Sequence, residues 1–202
     1  MKLVADTSGL VSIASTAAAR QTLLPLLLDS YEITVPQQVI DELGTIGGYE
    51  DEHATAASAV LDNEARLTVA SIDLDATFPL DDGENAVVQL ANRLDAPFCY
   101  CDEYNQLSLI HASLSETQLV TTPRLLKGFV TRGLISNDTA DELLEEIATA
   151  RSWGGNANVK QAKQLFEACK CGVHRLWASS PSYDCSRFHG SSKQPLPLSS
   201  RR

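Results

Sequence analysis

The chain is short of basic residues, of long apolar runs and of paired cysteines. Its 16 Lys and Arg face 26 Asp and Glu, a balance that disfavours nonspecific binding of nucleic acid, since phosphate contacts need cations. No apolar run is long enough to cross a bilayer, and the first residues lack the apolar core of a signal peptide. We therefore expect a soluble cytoplasmic protein with no membrane contact. The five cysteines are an odd number, which argues against a disulfide framework.

The charges that are present are unevenly distributed. Residues 1–168 contain 25 of the acids and 10 of the bases, whereas residues 169–202 contain one acid and six bases. The acids of the first part keep a protein soluble as a solvated surface, and a few of them could in addition gather to bind a metal. These two interpretations are compatible, because a metal site needs only about four oxygen-bearing side chains.

Apolar periodicity predicts an alternation of strands and helices up to about residue 150. The pattern indicates helix from Ser8 to Ser30 with a break near Arg20–Gln21, a helix after Pro36 that ends at Gly44, and a helix over Glu103–Ser113. Strand–helix alternation is typical of a parallel sheet covered by helices on both faces. We therefore predict an α/β fold, a three-layer α/β/α sandwich with a mostly parallel central sheet.

The remainder of the chain divides into two further segments. We expect residues 1–150 to form the main domain, residues 151–168 a helical extension, and residues 169–202 a disordered tail rich in Ser, Pro and Arg. A zinc site in the tail is a minor alternative, because thiolates and imidazoles suit zinc, although the spacing is not that of a regular finger. An unselected extension of the reading frame is also left open. The zinc alternative rests on Cys169, Cys171, His174, Cys185 and His189.

Four acids are placed where such a fold gathers functional groups, at the carboxyl ends of strands and in the segments that follow them. Asp6 and Asp102 each follow a predicted strand, Glu42 lies in the helix after the second strand, and Glu84 lies in the first turn of its helix. Each acid also has a purely structural explanation. Asp6 and Asp102 could be helix N-caps, Glu84 could complement the helix dipole, and Glu42 could be an exposed helical residue. The four together favour a shared site.

The segments around these acids resemble the motifs of the PIN-domain family, including VapC-like toxins and archaeal-type PIN nucleases. The similarity covers about residues 2–150 in the family's order. It rests on Val4-Ala-Asp6-Thr-Ser8, Val35-Pro36-Gln-Gln-Val39-Ile40-Asp-Glu42-Leu43, Asp82-Gly83-Glu84-Asn-Ala86-Val87-Val-Gln-Leu90-Ala91, Ala96-Pro97-Phe-Cys-Tyr-Cys-Asp102-Glu103, Thr122-Pro123-Arg-Leu-Leu and Gly133-Leu-Ile-Ser.

The resemblance implies metal-dependent cleavage of RNA, in a toxin or in RNA maturation or turnover. Carried across by position, it implies Asp6, Glu42, Glu84 and Asp102 as catalytic residues and as ligands of Mg²⁺ or Mn²⁺, cations that prefer oxygen donors. Ser8 would assist near Asp6. Glu103 stands where many members have a second Asp, and Asn105 is a further polar candidate. Hydrolysis without attack by the ribose 2′-hydroxyl would leave a 5′-phosphate and a 3′-hydroxyl.

The sequence also suggests binding partners, and it leaves two other classes of function open. Arg124 and Lys127, three residues apart in a predicted helix, are candidates for RNA phosphate contacts, or they could simply balance nearby acids. The resemblance leaves room for an antitoxin or other protein partner and for a homodimer. One alternative is a catalytically silent module that binds RNA or protein. The other is a different Mg²⁺-dependent phosphoryl-handling protein, such as a receiver, in which a Lys is expected where Thr121-Thr122-Pro123 stands.

Overall fold

A parallel sheet of five short strands lies at the centre of the computed structural model, which describes residues 1–74, 80–157, 159–161 and 163–164. The strands alternate with helices along the chain. In order, the elements are β1 (Lys2–Ala5), α1 (Thr7–Ile13), α2 (Ala17–Ser30), β2 (Glu32–Pro36), α3 (Gln37–Gly47), α4 (Glu52–Leu61), a 3-10 turn (Glu64–Arg66), β3 (Thr68–Ala70), α5 (Asp82–Arg93), β4 (Phe98–Tyr100), α6 (Leu107–Ser113), β5 (Gln118–Val120), α7 (Thr122–Thr131) and α8 (Asn137–Ala150).

The strand order is β3-β2-β1-β4-β5, and every neighbouring pair is parallel. The central strands are short apolar runs that are buried throughout their paired residues, such as Leu3–Ala5 in β1 and Phe98–Tyr100 in β4. A parallel sheet needs this composition because helices cover both of its faces. The predicted α/β/α arrangement with a parallel sheet is thereby confirmed.

The sheet has a position where the strand order reverses. Strands β2 and β3 extend to one side of β1, while β4 and β5 extend to the other side. Loops that leave the carboxyl ends of β1 and β4 therefore diverge to opposite sides, and the crevice between them is where open α/β sheets bind ligands. The backbone N–H of Asp6 donates to the carbonyl of Tyr100 at 2.9 Å. The residues that follow these two strands are thus direct neighbours at this crevice.

The first helical segment is divided at a different place from the one expected. The break lies at residues 14–16, between α1 and α2, and α2 runs through Arg20–Gln21 without interruption. Thr16 is the N-cap of α2, because its side chain accepts a hydrogen bond from the Ala19 N–H. Arg20 donates back to the Ala14 carbonyl at the end of α1, at 3.0 Å. Arg20, which suggested a break in the helix, therefore joins the two helices.

Two other helix boundaries were also predicted wrongly. Helix α3 passes through Gly44 and ends at Gly47, since a single glycine weakens a helix interior by only about 1 kcal/mol. Helix α6 begins at Leu107, with Gln106 as its N-cap, and not at Glu103. A turn precedes it, in which the Gln106 N–H donates to the Glu103 carbonyl. Asp102 is therefore not the N-cap of the helix that follows it.

The structure describes only part of the C-terminal region, residues 151–202, for which the sequence made predictions. Residues 157, 159–161 and 163–164 have helical backbone geometry. The tail 169–202, with its alternative zinc site, lies outside the described residues. Across the part of the chain that the structure describes, none of the helices combines the length and apolar character that a membrane crossing requires.

Candidate functional site

Asp6 lies at the carboxyl end of the central strand β1 and begins α1. It is the N-cap of that helix, and its Oδ2 accepts hydrogen bonds from the Ser8 N–H at 3.0 Å and the Ser8 hydroxyl at 2.5 Å. The buried thiol of Cys101 also donates to Oδ2, at 3.4 Å. Burial raises the pKa of Asp6, although these hydrogen bonds act in the opposite direction. These three bonds all engage Oδ2, and the backbone N–H of Thr7 contacts the same carboxylate.

Asp102 follows β4 and is held by the next element of the sheet. Its Oδ1 accepts from the backbone N–H of Thr122 at 2.8 Å, and its Oδ2 accepts from the Thr122 hydroxyl at 2.5 Å. The Ser12 hydroxyl adjoins the same carboxylate. Burial raises the pKa of Asp102 to about 6 in spite of these hydrogen bonds. Because Thr122 is the first residue of α7, Asp102 satisfies one of the free N–H groups at the start of that helix.

Ser8 connects these two acids. Its hydroxyl donates to Asp6 and accepts a hydrogen bond from the Asp102 backbone N–H at 3.0 Å. The residues that follow β1 and β4 therefore share one hydroxyl group. Ser8 therefore hydrogen-bonds the Asp6 carboxylate, and its assisting role in a metal site stays a prediction.

Glu42 reaches the same region from α3. Although the residue as a whole is exposed, its Oε2 accepts a hydrogen bond of 2.6 Å from the buried hydroxyl of Thr7. A Cβ atom added to Gly83 would lie 3.4 Å from this oxygen, so the Glu42 carboxylate is also close to the first turn of α5. Partial burial raises the pKa of Glu42, and the nearby charges of Asp6 and Asp81 act in the same direction.

Glu84 lies in that first turn of α5 and is buried. It forms a capping box with Asp81, in which the Asp81 side chain accepts from the Glu84 N–H and the Glu84 side chain accepts from the Asp81 N–H. Burial, the largest cause, and the charges of Asp81, Asp6 and Glu103 together raise the pKa of Glu84 to about 7, while the hydrogen bond from the Asp81 N–H acts in the opposite direction. The helix-start explanation for Glu84 is therefore correct, and it coexists with a crowded acidic environment.

These electrostatic links define a carboxylate cluster. It consists of side chains from the loops after β1 and β4 and from the starts or early turns of α3 and α5, at the carboxyl edge of the sheet. Clustered carboxylates repel one another and hold protons more tightly until a cation neutralises them. The cluster comprises Asp6, Glu42, Asp81, Glu84 and Glu103, with Asp102 joined to Asp6 through Ser8.

The donor chemistry of this cluster suits a hard divalent cation, because all its members are oxygen donors. Within the residues that the structure describes, however, no group of three or more Asp, Glu, His or Cys side chains is placed to hold a metal ion. These carboxylates are close enough to raise one another's pKa, but among the described residues no three of them are arranged as ligands of one ion.

The other candidate residues lie at the margins. Glu103 is half-buried, and its carboxylate accepts from the backbone N–H of exposed Asn105 at 3.4 Å. Arg124 and Lys127 both lie on α7, where they are half-buried. The RNA contacts assigned to these two bases remain a prediction.

Three site residues were missed by the sequence analysis: Thr7, Asp81 and Thr122. Asp81 carried a usable signal, since an Asp three residues before Glu84 at the start of an apolar helical pattern is a capping-box arrangement. Thr7 and Thr122 carried none beyond their position after a strand, because their partners Glu42 and Asp102 are distant in sequence.

A family model described as a PIN domain, DUF3368, matches residues 2–168. The chain belongs to the PIN-domain family. The match continues beyond residue 150, where the motif resemblance ended, and includes the helical residues after α8. A search of curated proteins finds no match.

PIN domains are generally nucleases and typically use divalent metals. A receiver is disfavoured by this membership. The cation, the substrate and the ligand residues of this PIN domain belong to the proposal below.

Proposed function

We propose that this PIN domain is a metal-dependent ribonuclease whose Mg²⁺ or Mn²⁺ is held by Asp6, Glu42, Glu84 and Asp102. The observation that carries the proposal is the crowding of carboxylates with raised pKa values at the point where the strand order reverses. Carboxylates with strongly raised pKa values in a crevice are candidates for a functional site. Crowded carboxylates repel one another when they are ionised, and a bound cation would remove that repulsion.

The protein's own residues orient each proposed ligand. Ser8 fixes one oxygen of Asp6, Thr7 fixes one oxygen of Glu42, and the capping box with Asp81 positions Glu84. Such outer partners set the direction of metal-binding oxygens. When bound, a divalent cation supplies charge neutralisation of the phosphate and acidification of a water molecule.

The carboxylate cluster repels the phosphates of RNA when no cation is present, so substrate binding needs basic residues. Arg124 and Lys127 on α7, the helix that begins beside Asp102, are the proposed phosphate contacts. Cleavage by water would leave a 5′-phosphate and a 3′-hydroxyl. The cellular role is that of a toxin or of an enzyme of RNA maturation or turnover.

The test is incubation of full-length protein with total RNA in Mn²⁺ or in EDTA, followed by sequencing of the cut ends. We expect 5′-phosphate ends in Mn²⁺ and none in EDTA. Glu84→Gln, which keeps the size of the side chain but removes its charge, should abolish the cuts. Cuts that persist in EDTA, or that carry 2′,3′-cyclic phosphate ends, would contradict the proposal. RNA that is bound but never cut would favour a catalytically silent module.

A further inference from the structure

Thr122 contacts both carboxylate oxygens of Asp102, and the Ser12 hydroxyl adjoins the same carboxylate. The backbone N–H of Thr122 contacts Oδ1 at 2.8 Å and its hydroxyl contacts Oδ2 at 2.5 Å. Two hydrogen bonds from one residue fix both the position and the plane of the carboxylate. Asp102 and Thr122 are almost completely buried, so water does not compete freely for these bonds. Each carboxylate oxygen retains a second lone pair that Thr122 does not use.

A second buried hydroxyl group, that of Tyr100, orients the Thr122 hydroxyl. The two hydroxyl oxygens lie 2.5 Å apart, and the Tyr100 side chain has no exposed surface. The Thr122 hydroxyl has one proton, which it donates to Asp102, so Tyr100 must be the donor in the second bond. The result is a directed chain from Tyr100 through Thr122 to Asp102. Hydrogen bonds in such a chain polarise and strengthen one another.

The chain continues on the other side of Asp102. The Asp102 N–H donates to the Ser8 hydroxyl, which donates to Asp6. One connected set of hydrogen bonds therefore runs from the start of α7 to the acid after β1. Thr122 is the one member of this set that contacts a carboxylate and also begins a helix.

We propose that Thr122 is a positioning residue whose hydroxyl, supported by Tyr100, holds the Asp102 carboxylate in the orientation that binds the divalent cation. The inference rests on the proposed function, because it assigns a role within the same site. In this role Thr122 acts through Asp102 and contacts neither RNA nor the cation. Its loss should therefore weaken cation binding and lower turnover, and at saturating Mn²⁺ the KM for RNA should be unchanged.

The decisive comparison is between Thr122→Val and Thr122→Ser in the full-length protein. Valine has the shape of threonine but no hydroxyl, whereas serine keeps the hydroxyl. Loss of an outer hydrogen-bond partner typically lowers metal affinity about 10–100-fold, so we expect a fall of that size in Mn²⁺ affinity for the Val variant, measured by calorimetry. The Ser variant should remain near wild type. Tyr100→Phe should have a smaller effect in the same direction.

Two controls separate positioning from stability. Thr131→Val makes the same change on the same helix, but its hydroxyl donates to the Lys127 carbonyl. Leu126→Val shortens a buried side chain of α7 and should lower the Tm without touching Asp102. Both should bind Mn²⁺ as wild type does. If Thr122→Val does not fold, Thr122→Ala, which also lacks the hydroxyl, takes its place.

The outcomes separate this inference from the proposed function. Wild-type Mn²⁺ affinity in a folded variant that lacks the Thr122 hydroxyl would overturn the positioning role alone. Failure of the wild-type protein to bind Mn²⁺ would overturn the proposed function together with the inference. Equal losses of affinity in Leu126→Val and Thr122→Val would also overturn the inference, because both would then reflect stability.

Discussion

At the scale of single residues, the acids of the site are also structural caps. Asp6 begins α1, Glu84 completes the capping box of α5, and Asp102 satisfies the first N–H of α7. A carboxylate has about four acceptor positions, and a cap uses one or two of them. Capping and cation binding are therefore compatible for each acid. A substitution that keeps the cap and removes the charge separates the two roles.

Asp102→Asn is that substitution. The amide oxygen can accept from the Thr122 N–H and the amide nitrogen can donate to the Thr122 hydroxyl, so both contacts survive. Asn is about as good as Asp in capping. If Asp102 is a ligand, Mn²⁺ affinity should fall and RNA cleavage should drop by about two orders of magnitude or more, the scale of effect that electrostatic active-site groups show. The apo Tm at pH 8 should stay level or rise, since a buried charge is removed.

The matched control is Asp62→Asn, which removes one charge at the exposed end of α4. It should leave Mn²⁺ affinity, cleavage and Tm near wild type. Unchanged cleavage and affinity in Asp102→Asn would remove Asp102 from the site and would leave it with only the capping role.

At the scale of elements, the start of α5 balances helix capping against charge repulsion. The Asp81 side chain caps the helix, yet its charge raises the pKa of Glu84 and of Glu42. Asp81→Ala removes both effects, and loss of the cap costs about 1 kcal/mol. Asp81→Ser keeps an acceptor oxygen and removes only the charge. We expect urea unfolding at pH 8 without metal to rank the Ser variant at or above wild type and the Ala variant lowest. A Ser variant as unstable as Ala would mean that repulsion from Asp81 is negligible.

The contact between α1 and β4 gives a second test at this scale. A Cβ atom on Gly9 would lie 3.0 Å from the ring of Tyr100, which is fully buried and hydrogen-bonded to Thr122. Overpacking typically costs about 1–3 kcal/mol, more than the roughly 0.5–1 kcal/mol that alanine gains over glycine in a helix. Gly9→Ala should therefore lower the Tm. In α3, a Cβ atom added to Gly44 would have no neighbouring atom within 4 Å. Gly44→Ala should therefore raise the Tm. A raised Tm in both would show that the Tyr100 ring can move.

The elements themselves were largely predictable, and the errors have local causes. Apolar periodicity predicted the alternation of strands and helices and the parallel sheet, because the burial of each strand depends on its own residues. The predicted helix boundaries were wrong where a side chain contacts a residue of another element. Arg20 reaches back to the end of α1, and Asp102 caps α7 instead of the segment that follows it, so α6 begins later than expected.

At the scale of the whole molecule, the topology explains how much of the site the sequence revealed. Parallel strands bring their carboxyl ends to one edge, so acids after β1 and β4 could be expected to meet, and Asp6 and Asp102 are joined through Ser8. The hydroxyls of Thr7 and Thr122 could not be predicted as partners of carboxylates, unlike that of Ser8, which follows Asp6 closely in the family motif. The Thr7–Glu42 and Thr122–Asp102 contacts join residues 35 and 20 positions apart, and such pairs exist only once the sheet has assembled.

The same topology places ionisable acids in the interior, which makes the stability of the metal-free protein depend on pH. The folded pKa is raised to about 7 for Glu84 and to about 6 for Asp102, against unfolded values of about 4.3 and 3.9. Between those limits the folded state binds more protons than the unfolded state. Their contribution to stability is therefore complete below about pH 4 and is lost as the pH rises through about 6 to 7.

We accordingly expect the free energy of unfolding of the metal-free protein to fall between pH 5 and pH 8. Glu84→Gln removes the group with the higher folded pKa and should flatten the fall, whereas Gln in place of exposed Glu64 should leave the profile parallel to wild type. A cation binds the ionised carboxylates, so Mn²⁺ should raise the Tm more at pH 8 than at pH 5. The measurement is urea unfolding across this range in EDTA, with thermal melts in Mn²⁺ at both ends. The contrary result is a wild-type profile that is flat or rises with pH, with no change in Glu84→Gln. That result would mean that ionisation of these acids does not destabilise the folded protein. The crevice would then be too well hydrated to have the raised pKa values on which the proposed cation site depends.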